Sequence, residues 1–375
     1  MMNEIISLID RSERLTPAHA LWLLQDSELL ALGALANEVR FRRHSNPHVS
    51  FVIDTNLNYT NICNAYCSFC AFYRPPGSTG DDVYTHSVDE IVKQIGQAKQ
   101  LGCTTVLMQG GLNPELPFSY YTDLIRASVD AHPEITPHFW SPPEIYMMKE
   151  ISRLSYEKIF EELWEAGQRT LPGGGAEVLT NRARKEISPL KMDADEWISI
   201  ERAAHTIGFT GTATMMYGHV ESDEEIVEHL ARIRDLQDEN HPGHFHAFVP
   251  WSFSPGDTPL GRKLKGNRAG PNRYLRMLAV ARLFLDNFEH IDASWFSEGK
   301  KAGQIALHFG ADDFGGTLFD ENVMNEAGHY NRTDVDEIKL MIRESGFVPI
   351  QRNTTYDTLA IFEETLPVPA VQPST

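Results

Sequence analysis

Short β-branched or apolar runs alternate along the chain with longer amphipathic stretches, and this rhythm predicts repeating βα units around a parallel sheet. Ahead of the repeats, Thr16–Arg43 is rich in alanine and leucine at helical spacing. It opens with Thr16-Pro17 as cap and first helical residue, which predicts one or two leading helices. Strands are predicted at Phe51–Tyr59, Thr104–Gln109, Thr136–Ser141, Gln168–Leu171, Gly211–Tyr217, His244–Val249 and His290–Ala293, with a weak one near Ala311–Phe314. Helical patterns separate them at Ser87–Leu101, Phe118–Ala131, Ser155–Ala166, Ala194–Ile207, Asp223–Glu239, Pro271–Asn287 and Lys301–His308. Eight strands with seven intervening helices predict an α/β chain folded as a (β/α)8 TIM-type barrel, with a doubly wound open sheet as the alternative. Beyond it, Asp334–Ser345 reads as a helix, Phe347–Arg352 as a short strand, and the proline-bearing Leu366–Thr375 as a loose tail. The expected organisation is an N-terminal helical segment over 1–48, the barrel over 49–332 and a short C-terminal extension over 333–375.

Composition narrows the function. A hydrophobic content of 42% suffices for a packed core at this length. With 52 acidic against 33 basic residues and a net charge of −19, the chain would repel a phosphate backbone, so no nucleic-acid partner is expected. Met1–Arg14 carries Glu4, Asp10 and Glu13 rather than a basic start and an apolar run, and no stretch approaches a membrane span. Neither export nor a membrane partner is expected. Of four cysteines, three fall within eight residues, a pattern that suits metal ligands in a reducing compartment, here the cytoplasm, better than a disulfide framework.

Those three form Cys63-x-x-x-Cys67-x-x-Cys70, just after the first predicted strand, where a barrel places active-site loops. A [4Fe–4S] cluster normally takes four thiolates, so three at this spacing suggest a cluster with one iron left open. A structural zinc site wants four ligands in paired knuckles, and no second pair lies downstream. An electron carrier using Cys103 as fourth ligand is the alternative from another class. Cys103, however, opens a predicted strand at the opposite barrel end and reads as a buried apolar cysteine. His241, His244 and His246 read as core or barrel-lining residues, because no cysteine or carboxylate completes a metal set. Three glycines before Glu177, in Leu171-Pro172-Gly173-Gly174-Gly175-Ala176-Glu177, suit a loop wrapped around a ligand whose hydroxyls or ammonium Glu177 would accept.

With aromatic Phe69 before its last cysteine, the motif resembles the radical S-adenosylmethionine (SAM) enzymes. The resemblance implies a [4Fe–4S] cluster on Cys63, Cys67 and Cys70, SAM chelated at the open iron, and reductive cleavage to a 5′-deoxyadenosyl radical. It places Phe69 beside the adenine and Glu177 on SAM. Gln109-Gly110-Gly111 resembles the family's second-strand glycine motif at the methionine amino group, although Leu112 stands where that pattern often has an acid. Met216-x-Gly218-x-x-Glu221 is similar to its adenine-side motif, with Glu221 fixing the loop.

The resemblance extends to the menaquinone and deazaflavin branch. Asn58-Tyr59-Thr60-Asn61-Ile62-Cys63 resembles that branch, and Ser141-Pro142-Pro143-Glu144, Pro250-Trp251-Ser252-Phe253, Ala293-Ser294-Trp295 and Glu321-Asn322-Val323 look like its cyclic dehypoxanthine futalosine synthases. What this implies is dehypoxanthine futalosine as small-molecule substrate and a flavodoxin- or ferredoxin-type electron donor. The radical would take hydrogen from ribose C4′, and the carbon radical would cyclise onto the aryl ring with loss of an electron and a proton. Trp251 and Trp295 would wall the ring, Arg74 would receive its carboxylate, and Asp292, Asp312, Asp313 or His219 would accept the proton. Aminofutalosine synthase and the deazaflavin synthase subunit share the cluster residues and stay open as alternatives.

Overall fold

The first predicted strand breaks in two at Ile53, and the break decides how the barrel closes. In the computed structural model, which describes residues 1–363 apart from Glu321, Ala327 and His329, His48–Val52 (β1) and Asp54–Leu57 (β2) belong to different sheets. The tail predicted at Leu366–Thr375 lies outside the described residues. From β2 the chain runs through Thr105–Met108 (β3), Thr136–Phe139 (β4), Thr170–Leu171 (β5), Thr210–Tyr217 (β6), Phe245–Ser252 (β7) and His290–Ile291 (β8), hydrogen-bonded in chain order. All of these pairings are parallel.

Asp313–Gly316 (β9) is the eighth strand, two residues later than the weak prediction. It closes the ring from both sides. The Ala293 N–H donates to the Asp313 carbonyl at 2.8 Å, and β9 pairs with β1 through Ser50–Asp313 and Val52–Gly316. The architecture is therefore the expected (β/α)8 barrel, with helices on its outer face as parallel strands buried on both sides require.

Two helices, Pro17–Gln25 and Leu29–Arg43, occupy the predicted leading segment, preceded by a further one at Met2–Asp10. Thr16 caps as its sequence implied, its side chain accepting from the His19 N–H at 3.3 Å. Buried Arg40 donates to the carbonyls of Asn46 at 3.2 Å and His48 at 2.6 Å, joining the third helix to β1.

The C-terminal extension does more than flank the barrel. Val348–Arg352 (β10) pairs parallel with β1 and antiparallel with Thr358–Ile361 (β11), a strand that the sequence pattern did not mark. The turn between them lies under the barrel. Thr354 meets Thr105, the first residue of β3, hydroxyl to hydroxyl at 2.6 Å, and Tyr356 stacks on His290, the first residue of β8, at 4.0 Å between ring centres. Arg352 adds the charge: its guanidinium bonds both carboxylate oxygens of Asp313, with Nη2 to Oδ1 at 2.9 Å, in full burial. The barrel floor is thus made by residues that come last in the described chain.

Burial alone would push the Asp313 carboxyl up, but the Arg352 guanidinium outweighs it and holds the group below the ordinary carboxylate range. The contribution of the pair is complete above the unfolded carboxylate pKa and is lost as pH falls through the depressed one. Arg352→Leu should therefore cost about 3–5 kcal/mol at neutral pH by stranding a buried carboxylate, with the gap to wild type narrowing in acid. Urea unfolding across pH checks this, and a constant gap would contradict it.

Candidate active site

A cavity of about 380 Å³ runs down the barrel axis. Gln109 and Gly110, at the C-terminal end of β3, and Thr105, at its start, all line it, so it spans the strand. Cys63, Cys67, Cys70 and Phe69 form the upper wall, while Asp54, Asp292, Arg352 and Tyr356 lie at the floor.

The cysteine loop is held by backbone hydrogen bonds to three neighbouring segments. Cys63 N–H donates to the Arg74 carbonyl at 2.8 Å, Asn64 N–H to Leu112 at 3.1 Å and Ser68 N–H to Ile187 at 2.8 Å. The approach is so close that it demands glycine. A Cβ on Gly111 would lie 2.1 Å from the Ile62 carbonyl oxygen, and one on Gly110 would lie 2.5 Å from the Tyr59 ring. Behind them Glu144 is fully enclosed, accepting from the Gly110 N–H at 2.9 Å and from the Ser141 N–H and hydroxyl at 2.6 and 2.7 Å. Burial raises this carboxyl to about 7 against those hydrogen bonds.

The thiols fit an iron–sulfur cluster. Burial pushes Cys67 up to about 12 and also raises Cys70, so neither becomes a thiolate readily unless a metal takes its proton's place. Backbone N–H groups already face them, with Ala65 3.5 Å from Cys63 Sγ and those of Phe72 and Tyr73 directed at Cys70. Cys103 is buried away from this wall and carries no place in the cavity lining.

Across from the cysteines, Glu177 adopts a left-handed conformation (φ 48°), which costs a non-glycine residue about 1–2 kcal/mol. Arg184 stabilises it by donating to the carbonyls of Gly175 and Ala176. The glycines before Glu177 serve the protein as well as the cavity, since a Cβ on Gly173 would meet the Thr212 carbonyl at 1.8 Å and one on Gly175 would meet Pro143 at 2.2 Å. Buried Glu177 pairs with the partly buried Lys191 at 2.6 Å, and the Lys191 ammonium lies 5.7 Å from the centre of the Phe69 ring. Although burial raises Glu177, that ammonium holds it below its usual range.

The remaining expected residues divide. Phe69 and Trp251 both line the cavity and pack on the apolar cluster that contains Met216. Met216, Gly218 and Gly111 stand one layer back, with Gly218 at φ 85° donating to Glu221, which also accepts from the His219 N–H at 2.9 Å as a loop-fixing residue would. Of the four proton acceptors only Asp292 reaches the cavity. His219 is spent on its own loop, meeting the Met216 carbonyl at 2.9 Å and the Val220 N–H at 2.7 Å. Asp313 is committed to Arg352 and Ser50, and Asp312 to Arg282 and His290. Trp295 is fully buried behind the wall, donating to the Gly316 carbonyl at 3.2 Å. Arg74 faces another cavity, where it pairs with Asp82 at 2.6 Å and donates to the carbonyls of Ala71, Phe72 and Tyr73.

Glu144, Lys191 and Asp54 are among the cavity residues that the sequence does not mark as site residues. Glu144 follows a legible capping box, Ser141-Pro142-Pro143-Glu144, whereas Lys191 is a lone lysine in a loop with no pattern to mark it. Asp54, in the middle of what reads as one strand, accepts from the Leu318 N–H at 2.8 Å, and burial raises it to about 6. Burial and the neighbouring Asp313 raise Asp292 well above the carboxylate range.

Gly111→Ala should push the Ile62 carbonyl, and Cys63 with it, out of register. The expected outcome is a folded chain with less iron and sulfide per chain after reconstitution than wild type; equal loading would show that the close approach is dispensable.

Comparison with known proteins agrees with this geometry. The Radical SAM superfamily model matches residues 57–233, and the CofH/MqnC C-terminal region model matches 242–365. The cyclic dehypoxanthine futalosine synthase of Halalkalibacterium halodurans is 41% identical over 94% of this chain and 93% of its own. Aminodeoxyfutalosine synthase of Thermus thermophilus is 37% identical, over 96% of each. Among solved structures, methylornithine synthase superposes with a TM-score of 0.69 at 17% identity, over 92% of this chain and 97% of the other. The hydrogenase maturase HydG of Carboxydothermus hydrogenoformans gives 0.71 at 17% identity over 94% and 80%, and both likenesses show the barrel fold. A barrel of this kind, with three thiols at the mouth of a deep cavity and end-to-end similarity to these synthases, places the chain in the radical SAM superfamily, in its CofH/MqnC branch.

Proposed function

We propose that this chain is a cyclic dehypoxanthine futalosine synthase, closing dehypoxanthine futalosine to its spirocyclic product in menaquinone biosynthesis. The observation that carries the reading is the similarity to the Halalkalibacterium synthase over nearly the whole of both chains. A cavity roomy at 380 Å³ and polar at its floor supports it. A [4Fe–4S] cluster with SAM, when bound, supplies a 5′-deoxyadenosyl radical.

Cys63, Cys67 and Cys70 hold that cluster. The Gln109–Gly110 backbone and the Glu177–Lys191 pair bind the SAM amino acid and ribose groups, with Phe69 and Met216 on the adenine side. Trp251 orients the aryl ring, so that C4′ is held in reach and the apolar upper wall excludes water. Rearomatisation after ring closure releases one electron, which offsets the one spent on cleaving SAM, and one proton near the floor. Burial and Asp313 raise Asp292 well above the carboxylate range, whereas Asp54 is raised only to about 6, which makes Asp54 the acceptor. Arg74 braces the cysteine loop instead of binding substrate. Four unpaired cysteines suit a reducing cytoplasm, and a reduced flavodoxin- or ferredoxin-type protein supplies the electron. Among the described residues, no helix is long and apolar enough to cross a membrane.

The aminodeoxyfutalosine synthase reading is tested in the same assay. Reduced enzyme with SAM and dehypoxanthine futalosine should give free 5′-deoxyadenosine and a product lighter by two hydrogens, as read by mass spectrometry; adenosyl retained in the product would reject the cyclase. Cys63→Ala, Cys67→Ala and Cys70→Ala should each abolish cluster and turnover, whereas Cys103→Ala should spare both.

Asp54→Asn should keep 5′-deoxyadenosine formation while cyclic product falls by about 10²-fold. In the wild type, product per 5′-deoxyadenosine should drop below about pH 6 as Asp54 protonates. A flat profile would remove Asp54 from the proton transfer.

A further inference from the structure

Outside the cavity, one set of metal-ligating side chains converges from three separate parts of the chain. Asp312 precedes β9, His290 opens β8 and His44 follows the helix Leu29–Arg43 as its C-cap. One ligand atom from each lies within 4.8 Å of the other two. Asp312 Oδ2 is 2.5 Å from His290 Nδ1 and 3.2 Å from His44 Nε2. His44 Nε2 is also 3.1 Å from the Glu289 carbonyl oxygen and 3.7 Å from its carboxylate.

The donors are held from behind. Asp312 Oδ1 accepts from Arg282 and from the Ile291 N–H at 2.9 Å, which aims Oδ2 at the imidazoles. His290 is fixed by its stacking on Tyr356, and the two histidine rings stand 5.2 Å apart with planes 13° from parallel. Their nitrogen edges, not their faces, meet at the carboxylate oxygen. Metal-binding histidines and carboxylates are oriented by outer hydrogen bonds of this kind. The side chains of His44 and His290 are 22% and 17% exposed, so an ion can enter from solvent.

We propose that His44, His290 and Asp312 form a zinc site that staples the leading helices to the foot of the barrel. Two imidazoles and a carboxylate match Zn2+ and not Ca2+ or Mg2+, which take oxygen ligands. The Glu289 carbonyl or water fills the fourth position. Arg282 stays as the outer partner of Asp312 and offsets part of its charge. The rival arrangement is a metal-free pin in which both imidazoles donate to Asp312.

The test uses holoenzyme reconstituted under anaerobic conditions, so that iron occupies the cysteines. After exposure to Zn2+ and desalting, elemental analysis should find one zinc per chain, and X-ray absorption at the zinc edge should show a nitrogen and oxygen shell free of sulfur. His44→Ala and His290→Ala should each lose at least tenfold in zinc affinity, and the rise in melting temperature that Zn2+ gives wild type should vanish. No retained zinc, a sulfur-containing shell, or equal affinity in both variants would overturn the proposal. The absorption spectrum is read on wild type, so a variant that fails to fold does not remove the test.

Discussion

The barrel closes around buried charge. Asp54, Asp292 and Asp313 gather where β9 completes the ring, and a single guanidinium, Arg352, enters from the C-terminal extension to face them. Three ionised carboxylates against one cation could not be buried together. The cluster resolves this by pairing Asp313 with Arg352, while Asp292 is raised well above the carboxylate range. Gly315 and Gly316 make the crowding possible, since a Cβ on Gly316 would lie 2.2 Å from Asp54 and one on Gly315 would lie 2.9 Å from Asp292. The same contact that shuts the sheet therefore fixes the polar floor of the cavity. Stability and chemistry are tied at that point.

The upper end follows a different rule. There the constraint is close backbone approach: Gly110 and Gly111 press on the segment that leads into Cys63, and Glu144 anchors that segment by its hydrogen bond to Gly110. Rigid support matters because raised thiol pKa values leave the loop without charge of its own until a metal binds. Lys191 completes the arrangement as a buried cation near Cys67 and Glu177, offsetting the negative charge that bound thiolates and Glu177 bring.

Much of this was legible in the chain. Period and spacing marked the eight barrel strands because parallel strands buried on both faces read as apolar runs, and the cysteine spacing located the mouth of the site. What escaped the pattern were features set by tertiary contact. The break at Ile53 leaves no mark in Phe51–Tyr59, which carries no glycine or proline to interrupt it, since it arises where β1 turns to pair with β9 and β10. The floor residues Arg352 and Tyr356 lie about 300 positions from the strand they complete, beyond the reach of local periodicity. Residue type alone also misplaced Asp312, His219 and Arg74: each carries reactive chemistry, and each is consumed by neighbours that only the fold brings near.

Between the supported mouth and the charged floor lies a wall that neither constraint fixes. Relatives with different names are similar to this chain at comparable identity, 41% for one synthase and 37% for another. In this chain the middle wall is built from β6 and β7, where Thr212, Thr214, Val249 and Trp251 face the cavity. The two strands stay paired along nearly their full length, from Gly211–Phe245 to Tyr217–Ser252. Val249 and Trp251 can change the surface met by a ligand without disturbing the glycine contacts above or the carboxylate cluster below, whereas Thr212 and Thr214 also hold Gly173, accepting from its N–H at 3.2 Å and donating to its carbonyl at 2.6 Å. At Val249 and Trp251 the wall can therefore be altered one side chain at a time within the same barrel.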